Sequence, residues 1–179
     1  MSRRSPVLKQ LMPHCKGLTV MNGHRYLASL GRGCRGLVLS NYFKFTIVRN
    51  PYDRFISLWL TRIANKDLKL TKDATLDQFI NLVKNRKVPW TALKTQSSWV
   101  CTRNGKLLIN HFIKYEDYED GINKTLNSFG LPSVTLPHLR KTKRDPDYTK
   151  YYETEEQLKT VQNLYKLDFE NFNYEKEAT

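Results

Sequence analysis

Between Phe43 and Ala64 the chain changes its hydrophobic period once, and that change constrains the fold more than any other stretch. Phe43-Lys44-Phe45-Thr46-Ile47-Val48 is β-branched and aromatic, the composition of a buried strand. Arg49-Asn50-Pro51 ends it. Asn50 is a good helix N-cap, and Pro51 suits the first helical position, where its missing N–H would have no partner anyway. Tyr52, Phe55, Ile56, Trp59, Leu60 and Ile63 then recur at helical spacing and predict an apolar stripe on a helix running to about Ala64. Asn50, Arg54, Ser57 and Thr61 fall on the opposite face.

A strand that ends on a guanidinium and turns into a helix start suits an anion. Ligands of open α/β sheets sit beyond the carboxyl ends of the strands. The helix start offers backbone N–H groups and a positive dipole end, and Arg49 adds a bidentate donor for phosphate oxygens. Ser57, two turns on, adds a hydroxyl. A plainer alternative stands beside this one: Arg49 and Arg54 serve only to pair with Asp53 or with distant carboxylates.

Elsewhere the periodicity predicts helices over 75–85 and 116–129, the second closed by Gly130 with Pro132 beyond it. His111 to Tyr115 reads as a second strand. A last helix starts near Thr154, whose spacing to Gln157 fits a capping box, and runs to about Tyr165. Residues 131–150 carry Pro132, Pro137, Pro146 and the basic run Arg140-Lys141-Thr142-Lys143-Arg144, and read as a loop. Strands alternating with helices predict an α/β fold with a largely parallel sheet flanked by helices. With no repeat, low-complexity segment or long linker, residues 1–179 are expected to form one domain.

Charge narrows the partner. Thirty Lys and Arg against 17 Asp and Glu give +13, and residues 1–52 carry nine basic groups and no acidic one. Such a field concentrates polyanions. It does not choose between nucleic acid, a membrane surface, a sulfated sugar and a nucleotide. No apolar run approaches the ~18 residues of a membrane span, and the basic N-terminus lacks the apolar core of a signal peptide. Cys15, Cys34 and Cys101 are too few and too scattered for a disulfide framework or a zinc site. A soluble, cytoplasmic protein without metal or membrane association is expected.

The stretch FKFTIVRNPYDRFISLW, Phe43 to Trp59, resembles the 3′-phosphate-binding segment of carbohydrate-type, Golgi-sulfotransferase-like enzymes. These use 3′-phosphoadenosine 5′-phosphosulfate (PAPS) as sulfuryl donor. Arg49, Asn50, Pro51, Arg54 and Ser57 match the family pattern at every position. The likeness continues through Trp99-Val100 with Gly105, Phe112 to Glu116, Leu136-Pro137-His138-Leu139 and Tyr151-Tyr152. Tyr165, Asp168, Phe172 and Tyr174 carry it to the end, so that it spans roughly residues 22–174.

This resemblance implies a P-loop-kinase-like sulfotransferase fold and PAPS as cofactor. It implies that Arg49 and Ser57 hold the 3′-phosphate, with Arg54 beside them, and that Arg140 and Lys141, or Lys143, reach the nucleotide from the late loop. His24 precedes Arg49 by 25 residues, where several relatives carry a His facing the acceptor. Its near-neutral pKa suits removal of a hydroxyl proton. Glu116 is the alternative base, and His138 either borders the nucleotide or caps a loop. Trp90 and Trp99 stack on a ligand ring or belong to the core.

One family feature is missing from the sequence. Members begin with a strand and a Lys-rich loop containing Gly, Ser or Thr that cradles the 5′-phosphosulfate, the counterpart of a P-loop. Nothing from Met1 to Val20 fits it, and Gly31 to Gly36 has the glycines without the preceding strand or the Lys-Ser/Thr ending. Lys9, Lys16 and Arg25 are basic but sit in no motif. The expected fold therefore lacks its first strand. The implied function is transfer of a sulfuryl group from PAPS to a hydroxyl of a carbohydrate or glycan, for which the positive field suits an anionic acceptor and no specific nucleic acid. The alternative is a non-catalytic, basic polyanion- or nucleotide-binding protein derived from the same fold. Animal relatives are often Golgi membrane proteins, the location implied if an N-terminal anchor has been lost.

Overall fold

A computed structural model of the chain describes residues 42–65, 70–136 and 144–176. Strand β1 (Phe45–Val48) lies parallel to β2 (His111–Lys114), with Phe45 opposite His111 and Val48 opposite Lys114. Parallel neighbours require a crossover. Here it contains helix α1 (Pro51–Ala64), helix α2 (Leu76–Lys84) and two single-turn helices, α3 (Trp90–Leu93) and α4 (Ser97–Val100). After β2 a 3-10 turn (Tyr115–Asp117) leads into α5 (Tyr118–Ser128). A second 3-10 turn (Tyr148–Tyr151), α6 (Glu155–Leu164) and α7 (Lys166–Asn171) follow. A small parallel sheet flanked by helices is the α/β arrangement that the alternating pattern predicts.

The helix ends form where the sequence places them. Asn50 Oδ1 accepts the Tyr52 N–H at 3.0 Å, so α1 starts at Pro51. Thr75 with Gln78, and Thr154 with Gln157, form reciprocal capping boxes at the starts of α2 and α6. Behind α5, Gly130 adopts φ +69°, which lets Leu131 N–H reach the Leu126 carbonyl at 3.0 Å. The single turns α3 and α4 carry too few residues to show a period, and the sequence gives no sign of them.

One expectation is corrected. β1 is buried on one face only: Val48 is 1% exposed, whereas Phe45 and Ile47 are 45% and 42% exposed. The run from Phe43 is β-branched and aromatic and reads as a buried strand, yet a strand sends alternate side chains to opposite faces. Phe45 and Ile47 share the outer one.

The main core lies between helices. Tyr52, Phe55 and Ile56 of α1 meet Phe79 and Ile80 of α2, Val161 of α6, Tyr165 between α6 and α7, and Phe169 of α7, all at most 4% exposed. A second cluster of Val48, Val100, Cys101 and Phe172 ties the end of β1 to the C-terminal segment. Burying a side chain of this size stabilises by roughly 1.5–3 kcal/mol. The end of β1, where Arg49 sits, is therefore held by the second cluster on one side and leads into the main core through Tyr52 on the other.

A cationic site at the end of the first strand

Arg49 leaves β1 with its backbone already satisfied. The Gln96 side chain accepts the Arg49 N–H at 2.9 Å and donates to its carbonyl at 2.8 Å, so an amide stands in for a further ladder partner. Gln96 is itself fixed: its N–H and that of Ser97 donate to the two oxygens of Asp168, both at 2.7 Å. Asp168 is fully buried and so caps α4 from α7.

The Arg49 side chain turns to the first turn of α1. Its Nε donates to Asp53 Oδ2 at 2.5 Å, and its guanidinium lies 4.9 Å over the Tyr115 ring. Asp53 also accepts, on Oδ1, from Arg144 Nη2. Two guanidiniums thus share the Asp53 carboxylate, and the Glu116 carboxylate stands beside them at the helix start. Asp53 and Ser57 are one helical turn apart and share a face of α1, so Arg49, Asp53 and Ser57 line up along it. Ser57 is half-buried, and its carbonyl accepts the Thr61 hydroxyl at 2.7 Å.

The start of α1 gives less backbone than its sequence promises. Asn50 N–H donates to Glu116 Oε1 at 2.8 Å, Pro51 has no N–H, and Tyr52 N–H is taken by Asn50. Recognition of an anion here falls mainly to side chains. Glu116, the alternative base of the sequence reading, also accepts the Tyr174 hydroxyl on Oε2 at 2.8 Å. Both its oxygens hold the frame together. Burial, with the Glu116 carboxylate beside it, pushes the Tyr174 phenol well up and keeps it protonated as a donor.

Arg54 faces elsewhere. Its Nη2 donates to the Lys94 carbonyl at 2.7 Å, and its guanidinium lies 5.0 Å over the Tyr165 ring. It joins α1 to the segment after α3 and does not meet Arg49. Trp99 packs partly buried against the second core cluster, with Lys94 Nζ 5.3 Å over its ring. His24, His138, Arg140, Lys141 and Lys143 lie outside the described residues, as do Lys9, Lys16, Arg25 and the glycines of 31–36. Gln96 enters the site without any sequence motif to announce it. Asp53 is the partner that the plainer alternative gave Arg49, Asp168 lies in the resembling C-terminal segment, and Arg144 closes the basic run, but only the Arg49–Asp53 spacing of four, a helical contact distance, signalled a contact.

The chemistry of the donor set fits a multiply charged anion. Neither terminal nitrogen of Arg49 has a partner among the described residues, so both stay available to an acceptor. Among the described residues no group of three or more His, Cys, Asp or Glu could hold a metal ion, and no helix is long and apolar enough to cross a membrane.

A parallel α/β sheet whose first strand delivers a guanidinium to a helix start defines an α/β protein with a cationic side chain at the strand's carboxyl end, where open α/β sheets place their ligands. Its sequence gives that class a family. A model of the "Sulfotransferase family" matches residues 19–175, and the chain belongs to that family. The match supports sulfuryl transfer in general and covers almost the same span as the resemblance read from the motifs. No curated protein and no solved structure matches the chain.

Proposed function

We propose that the protein is a PAPS-dependent sulfotransferase acting on a hydroxyl of a carbohydrate or glycan. The observation that carries this reading is Arg49, delivered by β1 to the start of α1 with terminal nitrogens that have no partner among the described residues and with Ser57 on the same helix face as Asp53. In this reading Arg49 and Ser57 hold the 3′-phosphate, and Arg140 and Lys141 approach the same nucleotide. PAPS, when bound, supplies a sulfuryl group on a good leaving phosphate. The chain's own residues hold the nucleotide by its phosphates and orient it. Cationic side chains stabilise charge that grows as the sulfuryl group moves, as in phosphoryl transfer. His24 takes the acceptor hydroxyl proton. The surplus of positive charge draws an anionic glycan, and the chain 1–179 acts as one soluble domain.

The test is binding of adenosine 3′,5′-bisphosphate, the product nucleotide, followed by sulfate transfer from labelled PAPS to a glycan panel. Arg49→Ala is expected to weaken the bisphosphate by roughly 10- to 100-fold, the ~1.5–3 kcal/mol of a hydrogen bond to a charged group. Ser57→Ala should cost less. Binding that falls steeply with salt, is shared by any polyanion and ignores Arg49→Ala identifies the non-catalytic polyanion binder instead.

A further inference from the structure

We infer that Gln96 is a positioning residue for Arg49: its side-chain amide fixes the backbone of the arginine and so sets how tightly the guanidinium holds an anion. The inference rests on the nucleotide reading of this site and adds to it a residue that acts only through another.

Pairing between β1 and β2 ends at Val48 and Lys114, so the backbone groups that follow need other partners. Side chains supply them. The Tyr174 hydroxyl stands 3.2 Å from the Val48 carbonyl. Arg49 N–H donates to Gln96 Oε1 at 2.9 Å, and Gln96 Nε2 donates to the Arg49 carbonyl at 2.8 Å. Asn50 N–H donates to Glu116 Oε1 at 2.8 Å. In this row only Gln96 spends both of its polar side-chain atoms on a single residue, and that residue carries the guanidinium. A primary amide is suited to the task, because it presents a carbonyl and an N–H side by side, as a neighbouring strand would.

Gln96 is mounted from behind. Besides the two N–H groups that Asp168 accepts, Ser97 Oγ donates to the Leu167 carbonyl at 3.0 Å and accepts from Asn171 Nδ2 at 3.1 Å. The segment that carries the amide is thus tied to α7, where Asp168 and Phe169 are buried. Across from it, Asp53 holds Arg49 by Nε. Gln96 fixes the backbone of the arginine and Asp53 its side chain, and the terminal nitrogens are left to meet an acceptor. A residue ordered in advance does not have to be ordered when the anion arrives, which strengthens binding. Without the amide, water satisfies the Arg49 backbone and the positive charge stays, but that advance ordering is lost. Gln96 therefore changes affinity only where Arg49 is present to use it.

The experiment measures dissociation constants of adenosine 3′,5′-bisphosphate and adenosine 5′-monophosphate for the full chain. The same is done for Gln96→Ala, Gln96→Met and Arg49→Ala, and for each Gln96 variant combined with Arg49→Ala. Thermal melting of each is recorded alongside. The wild type is expected to prefer the bisphosphate. Gln96→Ala should weaken the bisphosphate by about 5- to 20-fold, the cost of ordering a single residue's backbone on binding. The monophosphate has no 3′-phosphate and should move by less than about 2-fold. In the Arg49→Ala background the same substitution should change bisphosphate affinity by less than about 2-fold, since the residue it acts through is gone. Gln96→Met keeps the length and the packing but neither hydrogen bond, should lose as much as Gln96→Ala, and decides the matter if Gln96→Ala does not fold. An equal loss with and without Arg49, or an equal loss for both nucleotides, overturns the role of Gln96, because a purely structural residue gives that result. Full bisphosphate affinity in either folded Gln96 variant overturns it too. The nucleotide reading survives these outcomes if the wild type prefers the bisphosphate and Arg49→Ala removes that preference. A wild type with no preference for the bisphosphate overturns both.

Discussion

Asp168 decides the geometry of Arg49 without touching it. Its two oxygens hold the N–H groups of Gln96 and Ser97, and the Gln96 amide then holds both backbone groups of Arg49. Asp168→Ala strands two N–H groups, the Ser97 one buried, and is expected to lower the unfolding free energy by about 3 kcal/mol. Urea unfolding measures the loss. An unchanged midpoint would show that water replaces the carboxylate at no cost. At this scale the sequence speaks only where partners are close. Arg49, Asn50 and Pro51 announce a strand end and helix start because cap, proline and guanidinium are adjacent. Gln96 lies 47 positions from Arg49, Glu116 66 from Asn50, and Arg144 91 from Asp53. No local pattern encodes such pairs, so the frame of the site was illegible while its centre was not.

Among the elements, α5 and β2 depend on one close approach. A Cβ added at Gly121 would collide with Cγ2 of Ile113, a stiff, β-branched side chain that is only 3% exposed. Gly121→Ala would ordinarily favour a helix by about 1 kcal/mol. Here overpacking is expected to win, with a net destabilisation of about 1–2 kcal/mol. Thermal melting checks the sign: a raised melting temperature means that α5 can slide off β2 freely. The long helices α1, α2, α5 and α6 were readable because cap signals bound a clear 3.6 period. For β1 the periodicity named the element and misjudged its burial. Four residues of mostly apolar sequence do not reveal which face is covered.

For the molecule as a whole, tyrosine is the titrating group that burial perturbs most. Desolvation raises the phenols of Tyr52, Tyr152 and Tyr174, and pushes Tyr165 up to about 12. A phenol whose pKa is raised by folding contributes stability that is complete below its unfolded value, about 10. That stability is lost as pH climbs from there through the folded values. The fold is expected to hold up to about pH 10 and to weaken steadily above it. Tyrosinate absorbance and circular dichroism should therefore change together in an alkaline titration. Phenols that ionise well before the circular dichroism moves would contradict their burial. The charge field of the same molecule was legible from composition alone, but not where it would be focused. Asp53 and the two guanidiniums around it settle that focus through tertiary contact.

The frame around Arg49 is closed by its latest residues, Asp168 through Gln96 and Tyr174 through Glu116 and the Val48 carbonyl at 3.2 Å. A ribosome makes the chain at roughly 5–20 residues per second, N-terminal end first. The strongly basic half therefore emerges well before the segments that lock it. During synthesis, Arg49 is an open cation awaiting its clasp, and its frame is completed only as α7 docks.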